Sequence, residues 1–106
     1  MGKNYLSYSV AIILRALDNG YQYGFDIMDV TGLPSGTVYP ALRRMEDLGF
    51  VRSKWEKHAI AQQELRPPRK YYELTKAGKE ALAEAASRYR LLEQTPLETR
   101  EPKTSR

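Results

Sequence analysis

Between Ser35 and Arg44 the chain gathers Ser35, Gly36, Thr37, Tyr39, Pro40, Arg43 and Arg44. These side chains can donate hydrogen bonds, stack and bind anions, but they include no nucleophile–base pair and no acid–base pair. Their chemistry is that of recognition. An arginine reaches guanine or phosphate, a hydroxyl reaches a base edge or phosphate, and a tyrosine ring meets a thymine methyl or a sugar. No catalytic set appears elsewhere. His58 is the only imidazole and there is no cysteine, which excludes disulfides, thiolate metal sites and a multi-histidine metal site within one chain. Asp18, Asp26 and Asp29 lie on different faces or separate helices with no serine or histidine arranged beside them. They are solvating and capping groups, so the chain is expected to be no enzyme and to need neither cofactor nor metal.

The element that must present these residues is a helix over 35–48. Val38, Ala41, Leu42, Met45 and Leu48 recur at steps of three and four and share one face. Thr37, Pro40, Arg43 and Asp47 take the opposite side, with Tyr39 and Arg44 on its flanks. Gly32, Pro34 and Gly36 break the chain before it, Ser35 is the candidate N-cap, and Gly49 stands where a C′ glycine closes a helix. An apolar back with a front of hydroxyls, ring and arginines suits the DNA major groove. Taken alone, the segment reads equally as an amphipathic helix with a solvated polar face, including an intrahelical Arg43–Asp47 pair. Pro40 gives up a backbone donor inside the helix, a cost that packing alone does not require.

What flanks this helix favours the first reading. Residues 4–18 form a helix with the stripe Leu6, Val10, Ile13, Leu14 and Leu17, stopped by Asn19-Gly20. A shorter helix follows at about Gly24–Thr31, with Phe25, Ile27, Met28 and Val30 apolar and Asp26 and Asp29 facing out. Helix, glycine-containing turn, helix is the helix-turn-helix layout. Phe50–Lys57 and Lys70–Thr75 are strands, joined by the polar, proline-containing loop His58–Arg69. Two strands after a helix-turn-helix make a wing. Arg66, Arg69 and Lys70 at its far end favour contact with phosphate or the minor groove over a merely solvated tip. Trp55, Tyr71 and Tyr72 are assigned to the core and to strand pairing, and His58 to the surface.

Charge agrees with this layout. The net charge is +4, and residues 43–79 hold ten bases against five acids, whereas residues 80–106 balance at five against five. The excess therefore sits on one contiguous stretch and suits a polyanion.

Thr75 caps a last helix expected over Lys76–Gln94, striped by Gly78, Leu82, Ala85, Ala86, Tyr89 and Leu92. A three-helix core leaves little room to cover so long a stripe, so Leu82, Ala85, Ala86, Tyr89 and Leu92 are assigned to a homodimer interface. Thr95–Arg106 is polar and aperiodic, and is expected to be a disordered tail. The expected fold is α+β, mainly α. It divides into a winged helix-turn-helix over residues 1–75 (three helices and a two-stranded wing), a dimerisation helix over 76–94 and a tail over 95–106. No apolar run reaches the length of a membrane span, and Tyr5, Ser7, Tyr8 and Ser9 interrupt any signal-peptide pattern, so a cytoplasmic location is expected.

Several motifs resemble the PadR family of transcriptional regulators, in its short form with a single C-terminal helix. They are Tyr23-Gly24-Phe25-Asp26-Ile27, then Ser35-Gly36-Thr37-Val38-Tyr39-Pro40-Ala41-Leu42-Arg43-Arg44-Met45-Glu46, then Leu48-Gly49-Phe50-Val51, Trp55, and the run from Arg69-Lys70-Tyr71-Tyr72 to Gly78. They keep the family's order across about residues 5–90. The resemblance implies a dimeric winged-helix repressor bound to double-stranded DNA, and leaves open whether a small-molecule effector exists and what it is. It places Thr37, Tyr39 and Pro40 on DNA, Arg43 and Arg44 nearby, and the wing tip toward the minor groove. Family members often carry a glycine at the wing tip; here Arg66-Pro67-Pro68-Arg69 stands instead. The rival reading is a winged helix that binds an acidic protein partner and has no specific DNA target.

Overall fold

The computed structural model describes residues 6–90 and Leu92. Three helices come first: α1 (Tyr8–Asp18), α2 (Gly24–Thr31) and α3 (Ser35–Asp47). A hairpin follows, of strand β1 (Val51–Trp55), a short helix α4 (His58–Gln63) and strand β2 (Lys70–Leu74). Helix α5 (Lys76–Arg88) ends the described fold. The result is a mainly helical α+β fold with one two-stranded antiparallel sheet.

Each boundary has a local cause. The Ser7 hydroxyl accepts from the Val10 amide at 3.2 Å, so α1 begins at Tyr8 rather than at residue 4. Gly20 and Gly32 take positive φ values of 100° and 77° where α1 and α2 turn off, a conformation that costs glycine little. Pro34 caps α3, and its carbonyl accepts from the Thr37 and Val38 amides. Ser35 is therefore the first helical residue and not the cap. Gly49, at φ 84°, closes α3 as its position suggested, and the Phe50 amide returns to the Met45 carbonyl. Thr75 caps α5, accepting from the Gly78 amide at 3.0 Å, a contact worth about 1 kcal/mol.

The core lies where the apolar faces of all three initial helices meet the hairpin. Ile13, Leu14, Ile27, Val38, Leu42, Met45 and Val51 are fully buried. Val51 pairs with Leu74, Ser53 with Tyr72 and Trp55 with Lys70, so those residues share the sheet's inner face. Beyond the sheet, Tyr23 bridges to Tyr71 and the Tyr72 amide donates to the Gln22 carbonyl at 2.9 Å. That seam ties β2 to the connection that opens α2.

Three expectations need revision. The segment between the strands is not all loop, because α4 occupies its first half. Its Ala61 is turned inward and fully buried, and Leu65 (φ 58°, 92% exposed) reverses the chain after it. Phe25 does not join Ile27 in the core and is 73% exposed. The α5 stripe is covered within its own chain: Leu82, Ala85 and Leu92 join the core cluster, Ala86 is buried, and α5 lies along α1. Tyr89 is half-buried, its ring set edge-on to Tyr8 at 5.4 Å and its hydroxyl donating to the Leu6 carbonyl at 2.7 Å. The physical reason is that α1 supplies a second apolar side against which α5 packs. The expected tail over 95–106, and the last turn of the expected helix at 93–94, lie outside the described residues.

Candidate nucleic-acid interface

Helix α3 buries Val38, Ala41, Leu42 and Met45 and shows Ser35, Gly36, Tyr39, Pro40, Arg43, Arg44 and Asp47 to solvent, with Thr37 half-buried. Pro40 sits on that open front, and its missing N–H leaves the Gly36 carbonyl without its helical donor. Arg43 and Arg44 make no ion pair or hydrogen bond among the described residues, so the Arg43–Asp47 pair is not formed. The neighbouring acid Glu46 is turned away, accepting from the Ser53 hydroxyl of β1 at 2.6 Å. The two arginines thus stand out with their charge unanswered.

Tyr39 is 42% exposed, and its ring lies against the first turn of α2. Gly24 permits this: a Cβ there would come within 2.4 Å of the ring. Burial, with Glu46 and Tyr39 nearby, pushes the Tyr72 phenol above its ordinary pKa, so it remains a neutral hydroxyl behind this front.

The structure separates the wing cations that the sequence grouped together. Arg66 grips Glu56 through two bonds, Nη1 to Oε1 at 2.6 Å and Nη2 to Oε2 at 2.8 Å, and also reaches Glu64 at 2.9 Å. The Arg69 amide adds a third bond to Glu56. Arg66 therefore fastens the end of α4 to the end of β1, with its charge answered inside the protein. Neither the Arg69 guanidinium nor Lys70 forms an ion pair among the described residues, although the Arg69 charge lies close enough to Glu56 to help hold its carboxyl down. The Arg69 guanidinium lies over the Tyr23 ring at 5.0 Å, and Lys70 Nζ stands 5.7 Å from the Trp55 ring.

The wing fastening has a pH signature. The Arg66 guanidinium, hydrogen-bonded to Glu56, draws that carboxyl from 4.5 down to about 2. A carboxyl depressed on folding stabilises the protein above its ordinary value and loses that contribution as pH falls toward the folded one. Glu56→Gln is therefore expected to melt below the parent at pH 7, with the gap closing between about pH 4.5 and pH 2. Circular-dichroism melts across that range check it; a gap independent of pH would dismiss the pair as a stabilising element.

Trp55, expected in the core, is 64% exposed. It is on the sheet's inner face but at the far end of β1, opposite Lys70 and past the point where the helices back the hairpin. There it lines a cleft of about 270 Å³ with Tyr23, Gly24, Phe25, Asp26, Tyr39, Arg69, Lys70 and Tyr72. The recognition front, the start of α2 and the wing thus meet in one place. Strand alternation assigned Trp55 its face; the length of helix behind it was the missing information. No described helix is long and apolar enough to cross a membrane.

Fold and front together define a winged helix-turn-helix transcription regulator, a DNA-binding class. Residues 13–84 match the family model for PadR-like transcriptional regulators, and the chain belongs to that family. A PadR family regulator from Clostridium difficile superposes with a TM-score of 0.63 at 26% identity, over 80% of this chain and 91% of that one. A PadR-like transcription factor from Bacteroides fragilis gives 0.66 at 27% identity, over 82% and 84%. The fold alone is shared with Bordetella bronchiseptica BpsR, whose DNA binding is regulated by 6-hydroxynicotinic acid (TM-score 0.67, 16% identity, 96% and 73% covered). Among curated proteins no sequence matches.

Proposed function

We propose that this protein is a transcriptional repressor that binds a two-fold symmetric operator as a homodimer. Helix α3 lies in the major groove with Ser35, Gly36, Thr37, Tyr39, Pro40, Arg43 and Arg44 toward the DNA. Arg69 and Lys70 of the wing meet the adjacent backbone or minor groove, and Arg66 holds the wing in shape. The observation that carries this reading is the solvent-facing front of α3, where Arg43 and Arg44 have no carboxylate partner among the described residues. In this reading Leu82, Ala85, Ala86, Tyr89 and Leu92 serve the dimer indirectly. They seat α5 on α1, and the second copy meets the outer side of that pair, where Tyr8 is exposed. Repression and dimerisation are what the family resemblance supports.

Selection from randomised duplex DNA at about 150 mM salt tests it. The expected product is a symmetric motif with half-sites about one helical turn, roughly 34 Å, apart or a multiple of that. Recovery of no motif, with all binding lost at that salt, would leave a non-specific basic surface and advance the protein-partner reading. Within a recovered motif, Arg43→Ala is expected to relax the preference at one base pair, costing about 1–3 kcal/mol. A uniform loss over all sequences would make Arg43 a phosphate contact instead.

A further inference from the structure

The cleft beside Tyr39 adds to Arg69 and Lys70 two rings, Phe25 and Trp55, that neither the family match nor the sequence assigned to any partner. Its walls include two largely exposed rings, Phe25 and Trp55, and its cations are Arg69 and Lys70. Exposed aromatic surface costs a soluble protein free energy unless something covers it. Here the rings adjoin two cations that form no ion pair among the described residues, and one edge of the recognition front, so the chemistry that fits is an apolar unit joined to an anion.

We propose that this cleft seats the sugar-phosphate backbone of one DNA strand, with the Trp55 indole against a deoxyribose and Arg69 and Lys70 on the phosphate beside it. The proposal rests on the repressor reading and adds a sequence-independent grip to it. Docking geometry supports that occupant. When a recognition helix enters the major groove, the helix before it crosses the phosphate backbone. In this chain the first turn of that preceding helix, Gly24–Asp26, lines the cleft. An inserted base is a poorer fit, because leaving the stack costs a few kcal/mol that the backbone does not incur. The cleft, about 270 Å³, is also below the usual range of roughly 300–1,000 Å³ for small-ligand pockets.

Asp26 lines the same cleft, is exposed and has no ion pair among the described residues. Its carboxylate repels a phosphate on the α2 side, so the phosphate lies toward Arg69 and Lys70 and the sugar toward the rings. Asp26 acts as a fence that sets the strand's direction through the cleft.

Trp55 is the only tryptophan in the chain, so its fluorescence reports this cleft alone. The test titrates the full chain with operator duplex and with a scrambled duplex at several salt concentrations. Binding to either duplex is expected to shift and quench the Trp55 emission. Trp55→Ala is expected to weaken both duplexes roughly tenfold, with the salt slope unchanged, because an apolar contact releases no counterions. Arg69→Gln and Lys70→Gln are each expected to lower the slope by about 0.9. Asp26→Asn should tighten both duplexes more than Asp29→Asn, an exposed acid on the same helix but outside the cleft. Trp55 emission that ignores bound DNA, or unchanged affinity in Trp55→Ala with an unaltered melt, overturns the clamp while leaving the repressor reading in place. If the parent protein binds neither duplex, that reading fails first.

Discussion

Gly78→Ala is expected to lower the melting temperature by roughly 10–20 °C, although alanine is the better helix former. On propensity alone the change stabilises a helix by about 1 kcal/mol. At this position, however, the new Cβ would lie 1.9 Å from the Phe50 carbonyl oxygen and 2.9 Å from its carbon. That oxygen is fixed, since it accepts from the Thr75 amide at 3.1 Å, while the Thr75 hydroxyl donates to the Gly49 carbonyl at 2.6 Å. Helix α5 must therefore lift off the α3–β1 corner, straining its cap bonds and uncovering Leu82 and Ala85. Overpacking against backbone sits near the upper end of a cost of about 1–3 kcal/mol, and a lost cap adds about 1 more. The net is a loss of about 2–3 kcal/mol after the propensity gain is subtracted. A thermal melt decides the matter: an equal or higher midpoint would mean that α5 does not start on this corner.

Gly24→Ala should do the reverse, sparing stability while damaging binding. The three atoms nearest the added methyl all belong to the end of the Tyr39 ring, at 2.4 Å for Cε1 and 2.6 Å for Cζ and the hydroxyl. A ring that is 42% exposed can swing into solvent, so the melt should move by less than about 1 kcal/mol. Tyr39 then leaves the position from which it faces DNA in the proposed complex. Losing one packed aromatic contact with its hydroxyl costs about 1–2 kcal/mol, or roughly 5–30-fold in affinity. The check is a double-mutant cycle. Tyr39→Ala and the double variant should bind DNA equally weakly, because Gly24 acts only through the ring it makes room for. If instead the two losses add, Gly24 contributes by another route.

Much of this architecture was legible because it is written in local periodicity and punctuation. The stripe Val38, Ala41, Leu42, Met45 placed α3 correctly, Gly49 ended it, and Thr75 started α5. Features decided by distant partners were not legible. Six residues, HAIAQQ, carry too little period to announce a helix; α4 is fixed by the buried Ala61 and by Arg66 locking onto Glu56. Nothing in the charge of Arg66 distinguishes it from Arg69; the difference is a carboxylate, Glu56, that takes the guanidinium of Arg66 but only the backbone amide of Arg69. The α5 stripe was recognised as apolar, but which surface covers it depends on where α1 runs. Side-chain types told what each face is, while tertiary geometry told what each face meets.

The seam between β2 and the entrance to α2 bears on how much of the binding free energy is lost to ordering. Association normally surrenders the conformational freedom of every loop it immobilises. In this protein the wing is already joined to the helix-turn-helix by the Tyr72–Gln22 hydrogen bond and the edge-on Tyr23–Tyr71 rings, 5.8 Å apart. Freeing the hairpin would break that seam and expose the α2 start along with it. The entropy of bringing wing and helices into register is thus surrendered during folding, and the surface meets its partner preorganised.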